Sequence, residues 1–255
     1  MVNVSVQAAI MLFPGVLHVG PFRFPVYGVF AALGLIAALW LSLKTARLAG
    51  LDAEAVGDAG LFGLLAAFVI SRVLLIVDDP HGFMRLPLVL LSLPSFTYVG
   101  MLLTAAAMVL YLRWKRLRLL KVLDAWAPCA AVVAGMLSLG EIYSGGDPGM
   151  PTTLPWGTVV AGSGGLMHLQ PVELYRALAA VVTLVVLMGL LQWRLRTGVV
   201  AGVALVAGGV VSFLLQMISQ PMEVVGHGWL EPVQWVAVGA MLVGGLMLTF
   251  VKELA

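Results

Sequence analysis

The chain has 255 residues, of which 62% are hydrophobic and only 10% are charged, and its mean hydropathy is +1.07. A soluble domain carries roughly 25% charged residues, so this composition excludes a soluble globular domain and predicts a polytopic membrane protein. The formal net charge is +2, and the single cysteine, Cys129, excludes a disulfide within the chain. With no internal repeat or low-complexity segment, we expect one membrane domain over residues 1–255.

A membrane-spanning helix needs about 20 predominantly apolar residues. In chain order, the candidate spans are Phe24–Leu43, Ala59–Val77, Phe96–Leu112, Leu123–Tyr143, Leu174–Trp193, Val199–Ile218 and Val233–Val251. Two further apolar pieces, Val4–Leu17 and Leu86–Leu93, are too short to span and either contain or adjoin proline, so we expect interfacial or re-entrant segments there. The predicted fold class is an all-α integral membrane protein with about seven transmembrane helices.

Basic residues predict the orientation, because cytoplasmic loops are enriched in Lys and Arg. Under alternating spans, ten of the fourteen basic residues fall on one side: Lys44, Arg47, Arg113, Lys115, Arg116, Arg118, Lys121, Arg194, Arg196 and Lys252. We assign that side to the cytoplasm, which places the amino terminus outside and the carboxyl terminus inside. The long loop 144–170 then lies outside. Its seven Gly and three Pro predict turns rather than helix or strand.

Ionisable residues within membrane spans are costly and therefore mark candidate sites. Arg72, Glu141, Glu173 and Arg176 all fall toward the outer half of the membrane under this topology. Arg176 follows Glu173 by three residues, so the two share a helix face and can pair. No Lys or Arg lies between Lys121 and Arg176 to pair with Glu141 locally. Two interpretations stay open: the side chains snorkel to the interface, or they line a polar cavity open to the outer leaflet.

The outer loop and the start of the next span carry a recognisable pair of motifs. "PTTLPWG" followed by "QPVELYRAL" resembles the "RPTDLPWG … HPSQLYEAL" stretch of the prolipoprotein diacylglyceryl transferases. "FRFPVYGVFAALGL", "ISRV", "DAWAPCAAVVAG" and "MISQPM" resemble further stretches of that family in the same order, over nearly the whole chain. The family's enzymes have seven spans with the amino terminus outside. The resemblance therefore implies the same fold and a bacterial inner-membrane location.

The resemblance also implies a chemistry. The family transfers the diacylglyceryl group of phosphatidylglycerol to the lipobox cysteine of a secreted preprotein, and glycerol phosphate leaves. Such a site must help to deprotonate a thiol and must stabilise charge on the departing phosphate. Tyr27 matches a family tyrosine and Arg72 matches the arginine of its "GAR" turn. We expect a phosphatidylglycerol-like phospholipid as partner, with no cofactor, no metal and no nucleic acid.

Charged positions of the family motifs are replaced in this chain. The family's "GRLGN" runs onto "LSLGE", so Ser138 stands in place of an arginine and Glu141 in place of an asparagine. A second family arginine falls on Ser212, and the glutamate four residues later falls on Gln216. The histidine of the family's "HGG" falls on Tyr98. Replacing Arg by Ser removes a full positive charge and a bidentate donor fork.

The "HPSQLYE" motif is altered as well. Its histidine falls on Gln170, its glutamine on Glu173 and its last glutamate on Arg176. The resulting candidates for binding lipid or phosphate are Tyr27, Arg72, Ser138, Arg176, Ser212 and Gln216. The catalytic candidates are Tyr98, Glu141 and Glu173.

Three functions are compatible with these residues. In the first, the fold keeps a phospholipid cavity, has lost the family reaction and serves as an accessory subunit of a membrane complex. In the second, the chain is an active diacylglyceryl transferase with a rearranged site, in which Arg72 and Arg176 hold the phosphate. The third is a transporter or channel, which glycine-rich spans allow but which the lack of inverted repeats and paired broken helices disfavours.

Overall fold

The computed structural model describes residues 16–19, 22–78, 97–146, 149–162, 165–193, 195–220 and 230–253. The helices are α1 (Val26–Leu48), α2 (Ala53–Asp78), α3 (Tyr98–Trp114), α4 (Leu119–Ser144), α5 (Val172–Gln192), α6 (Val199–Ile218) and α7 (Pro232–Glu253). The strands are β1 (Val16–Val19), β2 (Phe22–Pro25), β3 (Thr158–Gly162) and β4 (Gly165–Leu169).

The prediction of an all-α integral membrane protein is confirmed. Each predicted span overlaps one of the seven helices found in the described part of the chain. Six of these helices are long and apolar enough to cross a membrane, while α3 is shorter, with 17 residues. We define the outer side of the bundle as the side that bears the loop 144–170, in accordance with the orientation predicted from the basic residues.

Helix α4 lies at the centre of the bundle. It packs against α1, α5 and α6, and α2 lies mainly against α1 and α3. In the most apolar window of α4, 44% of the residues are buried, against 11–28% in the other candidate spans. A helix that is surrounded by other helices has few lipid-facing positions. Helix α4 is therefore the central helix against which α1, α5 and α6 are placed.

Glycines let α6 and α7 approach each other closely. A Cβ at Gly244 would lie 2.7 Å from the carbonyl oxygen of Gly202, and a Cβ at Gly209 would lie 2.7 Å from that of Ala237. Both distances are shorter than an ordinary carbon–oxygen contact, so the two backbones meet at positions where only glycine fits. Association through small residues is the usual solution for membrane helices, because lipid provides no hydrophobic drive between them.

A carboxylate from α4 caps the start of α6, at the end of the bundle opposite the outer side. The backbone N–H of Gly198 donates to Asp124 Oδ2 at 2.6 Å, and that of Ala201 donates to Oδ1 at 2.8 Å. Asp124 is 6% exposed. The first N–H groups of a helix have no partner within the helix, and a carboxylate also complements the positive end of the helix dipole. Asp124 therefore fixes where α6 begins relative to α4.

The outer loop contains a β-hairpin, and the expectation of turns alone was wrong for residues 158–169. β3 and β4 pair antiparallel, from Thr158 opposite Leu169 to Gly162 opposite Gly165. Both strands contain short apolar runs, and the Ser-Gly pair between them in the sequence is typical of a turn, which together is a hairpin signal. The overall density of glycine and proline concealed that local pattern.

The segment at residues 150–152 joins this hairpin. The backbone N–H of Gln170 donates to the Met150 carbonyl at 3.0 Å, and that of Thr152 donates to the His168 carbonyl at 2.8 Å. The N–H of Met150 in turn donates to the Ile218 carbonyl at the end of α6, at 2.8 Å. The loop thus bridges the outer ends of α5 and α6.

The two predicted interfacial pieces lie largely outside the described residues. Of Val4–Leu17, only Val16 and Leu17 are described, and both belong to β1, which pairs antiparallel with β2. Leu86–Leu93 falls entirely outside the described residues.

Candidate functional site

Arg176 lies between two carboxylates at the outer ends of α4 and α5. Its Nη1 donates to Glu173 Oε1 at 2.6 Å and to Glu141 Oε2 at 3.2 Å. The Glu173 side chain is 7% exposed, whereas those of Glu141 and Arg176 are 33% and 31% exposed. The predicted pairing of Glu173 with Arg176 is confirmed. Glu141, which has no local partner in the sequence, finds one on the neighbouring helix. We call these three residues the Glu–Arg–Glu cluster.

The backbone at the end of α4 allows this cluster to form. Helix α4 is capped by Gly145, whose φ of 77° lies in the left-handed region that favours glycine. The next residue, Gly146, donates its N–H to the Glu141 carbonyl at 2.8 Å. A Cβ at Gly146 would lie 3.0 Å from Glu141 Cβ and 3.2 Å from Glu173 Cγ. The absence of a side chain therefore lets the chain turn directly beside both glutamates.

Tyr27 and Ser138 lie close to the cluster. A Cβ at Gly140 would lie 3.2 Å from Tyr27 Cα, so the first turn of α1 packs directly on α4 beside Glu141. Ser138, one turn before Glu141, is 1% exposed. A small buried side chain thus lies on α4 at the position where, by the resemblance, the family motif carries an arginine.

Arg72 belongs to a different part of the bundle. It is 5% exposed on α2, and its guanidinium carbon lies 5.0 Å from the centre of the Phe68 ring. Because α2 packs mainly on α1 and α3, Arg72 does not join the salt bridges around Arg176. The two predicted phosphate-binding arginines therefore lie on separate helices, α2 and α5.

Gln216 belongs to a second polar group, which links α6 to α7. Its Nε2 donates to Glu231 Oε2, and the backbone N–H of Glu231 donates to Gln234 Oε1 at 3.0 Å. Glu231 was not among the predicted site residues. Its signal in the sequence is local: an acid stands directly before the proline that opens α7, with a glutamine three residues later, as in half of a capping box.

Two predicted residues take no part in either polar group. Tyr98, at the first position of α3, is 71% exposed. Ser212 is exposed on α6, one turn before Gln216. Neither side chain is brought to the Glu–Arg–Glu cluster by a contact between described residues.

The outer loop is tied to α5 by a contact that the sequence did not predict. Trp156 Nε1 donates to the hydroxyl of Tyr175 at 2.8 Å. Tyr175 directly precedes Arg176, so this bond attaches the "PTTLPWG" segment to the helix turn that carries the cluster. The loop is therefore part of the outer wall around the site.

The cluster as a whole carries one positive and two negative formal charges. Nη1 of Arg176 serves both carboxylates, while Nη2 and Nε make no hydrogen bond within the described residues. One edge of the guanidinium is therefore available to an oxygen ligand. That ligand would bind beside two carboxylates, so a neutral or cationic group fits the local charge better than an anion.

The fold and the cluster together define the class. This is a multi-pass α-helical membrane protein with ionisable groups held at the outer ends of its helices. The sequence pattern of prolipoprotein diacylglyceryl transferase matches residues 14–250. The chain therefore belongs to the prolipoprotein diacylglyceryl transferase family.

Similar proteins come from several bacteria. The phosphatidylglycerol–prolipoprotein diacylglyceryl transferase of Chromohalobacter salexigens is 28% identical over 242 residues, which cover 91% of this chain and 89% of that protein. The protein of the same name from Aliivibrio fischeri strain ES114 is 28% identical over 244 residues, covering 92% and 87%. That from Clostridium tetani is 28% identical over 157 residues, covering 60% and 63%.

Proposed function

We propose that this chain is a phospholipid-binding member of its family that has lost the diacylglyceryl transfer reaction. It would reside in the bacterial inner membrane as a single domain. The observation that carries this proposal is the Glu–Arg–Glu cluster, in which Arg176, one of the two arginines expected to hold a phosphate, is paired with two carboxylates.

The charge balance argues against binding a phosphate for chemistry. A phosphate at the free edge of Arg176 meets one attractive and two repulsive charges. Each pair of unit charges 4 Å apart interacts by about 4 kcal/mol at an effective dielectric constant of 20. The second carboxylate therefore offsets much of what the guanidinium contributes. The fixed positive charge that a phosphate leaving group requires is largely cancelled.

The serines at the family's arginine positions support the same conclusion. Losing one preorganised donor at a transition state costs about 3–4 kcal/mol, or 10²–10³ in rate. Ser138 and Ser212 each replace an arginine of the family motif, and Tyr98 replaces its histidine. A scaffold that keeps its loop motif and helix packing but lacks these groups fits a protein that holds lipid without transforming it. Such a protein would serve as an accessory subunit of a membrane complex.

A transfer assay tests this proposal. The purified full chain is mixed with phosphatidylglycerol and a lipobox peptide, with the Chromohalobacter salexigens transferase as the positive control. We expect no thioether product above the background without protein. Thioether formed by this chain, and abolished by Arg176→Ala, would contradict the proposal.

A second candidate is an active transferase with a rearranged site. It is favoured by the names of relatives that match about nine-tenths of the chain, and by the open Nη2 edge of Arg176. In that case Glu141, one-third exposed, would accept the thiol proton, and Arg176 would hold the phosphate. Glu141→Gln and Arg176→Ala would then each lower the rate by about 10²-fold or more.

A further inference from the structure

An apolar cavity of about 440 Å³ lies between α1, α2, α3 and α4, away from the Glu–Arg–Glu cluster. Its walls include Leu39, Ala67, Thr104, Met108, Trp126 and Cys129. Its volume falls in the range of about 300–1,000 Å³ that is common for ligand sites. The neighbouring helices therefore leave between them a space that no side chain of the described residues fills.

The hydroxyl groups in the wall already have acceptors. Ser42 Oγ donates to the Leu39 carbonyl at 2.7 Å, and Thr104 Oγ1 donates to the Gly100 carbonyl at 2.8 Å. Both bonds run back along the residue's own helix. Because these hydroxyls do not require a further partner in an otherwise apolar wall, the cavity is suited to hydrocarbon rather than to water or a headgroup.

The size of the cavity limits its occupant. On α2 it extends from Gly60 to Ala67, seven residues or about 10 Å along the helix axis. A flexible hydrocarbon chain matches a space of this length with apolar walls. In a bilayer, acyl chains are the hydrocarbon that is always present.

The cavity lies deeper in the membrane than Arg72, at a distance that an acyl chain can reach. Arg72 lies five residues beyond Ala67 toward the outer side, and the far end of the cavity at Gly60 lies about 18 Å below Arg72 along the helix. One leaflet of the hydrocarbon core is about 15 Å thick. An acyl chain that descends from a headgroup at the level of Arg72 would therefore end inside this cavity.

Glycine and methionine shape the lower part of the space. A Cβ at Gly60 would lie 3.2 Å from Leu39 Cδ2, and a Cβ at Gly63 would lie 2.5 Å from Met108 Cε. Glycines at these two positions keep α2 from narrowing the cavity. The Met108 side chain projects into the room so created, and methionine readily adapts to the shape of what it contacts.

We propose that this cavity receives one acyl chain of the phospholipid whose headgroup lies at the outer ends of the helices, and that Met108 limits the length of that chain. The inference rests on the lipid binding in the proposed function, but not on whether the transfer reaction has been lost.

The test measures binding of defined lipids by the full chain in mild detergent. Phosphatidylglycerol with a fluorescent headgroup is displaced by the dimyristoyl, dipalmitoyl or distearoyl form. Ala67→Phe fills the outer part of the cavity, and Leu65→Phe is its control, because Leu65 is 56% exposed on the same helix. We expect Ala67→Phe to weaken dipalmitoyl binding about fivefold or more, as overpacking does, and Leu65→Phe to leave it unchanged.

A second variant keeps the test independent of any folding defect in the first. Met108→Ala enlarges the lower part of the cavity and should shift the preference from dipalmitoyl toward distearoyl lipid. Equal binding of all three lipids by the wild type, Ala67→Phe and Met108→Ala would overturn the inference. If the wild type selects among the three lipids by chain length and also forms thioether in the transfer assay, the inference about the cavity is upheld and only the proposed function is overturned. No lipid binding by the wild type would overturn both.

Discussion

The two salt bridges of Arg176 should differ sharply in what their loss costs. Glu173 is 7% exposed and lies 2.6 Å from Nη1, whereas Glu141 is 33% exposed and lies 3.2 Å away. Removing one partner of a buried ion pair typically costs about 3–5 kcal/mol, because the other charge stays buried. Exposed pairs are worth about 0–1 kcal/mol. Since Arg176 itself is 31% exposed, we place Arg176→Met near the lower limit, at about 3 kcal/mol.

A double-mutant cycle separates the burial of the Glu173 charge from other effects. Glu173→Gln removes that charge, so Arg176→Met should cost about 2 kcal/mol less in the Glu173→Gln background than in the wild type. Glu141→Gln should cost less than about 1 kcal/mol alone and should change the effect of Arg176→Met little.

The assay is reversible unfolding of the detergent-solubilised chain, followed by tryptophan fluorescence. Arg113→Met serves as a control, because Arg113 is exposed, makes no salt bridge within the described residues and lies in the last turn of α3, at the opposite end of the bundle. If Arg176→Met were no more destabilising than Glu141→Gln, Glu173 would not depend on Arg176, and the description of the cluster as a buried pair with an exposed third member would be wrong.

Three further predictions concern the scaffold. Asp124→Ala should lower the free energy of unfolding by about 2–4 kcal/mol, because two N–H groups at the start of α6 lose their buried acceptor. Its control, Asp58→Ala on an exposed part of α2, should change that free energy by no more than about 0.5 kcal/mol. Equilibrium unfolding measures both. Gly209→Leu should separate α6 from α7 and lower the thermal midpoint, whereas Gly239→Leu, where a Cβ meets nothing within 4 Å, should not. Trp156→Phe should cost about 1 kcal/mol through loss of the bond to the Tyr175 hydroxyl, and limited proteolysis should then cleave the outer loop faster.

The helices could be predicted because their signal is strong and local. A run of about 20 apolar residues has few structural alternatives, and all seven candidate spans correspond to helices in the described residues. The ends were less predictable. Helix α1 continues to Leu48, five residues beyond the predicted end and past Lys44 and Arg47, because a helix can extend into the interface once its apolar stretch is finished.

The polar contacts depended on information that the sequence order does not contain. Glu173 and Arg176 are three residues apart on one helix, so their pairing follows from helix periodicity alone. Glu141 and Arg176 are 35 residues apart, and their contact requires knowing that α4 and α5 adjoin at their outer ends. For the same reason, the pairing of Gln216 with Glu231 was missed although each residue was visible in the sequence.

The acid in "LSLGE" gains its meaning from the helix next to it. By the sequence resemblance, Glu141 falls on a family asparagine and Arg176 falls on a family glutamate three residues after Glu173. The structure brings Glu141 and Arg176 into contact, so an acid on α4 is matched by a base on α5. By that resemblance, an asparagine–glutamate pair with a formal charge of −1 is replaced by a glutamate–arginine pair with a formal charge of 0. Arg176 is thereby opposed by two carboxylates, which is the ground on which we propose that the chain keeps the scaffold without the reaction.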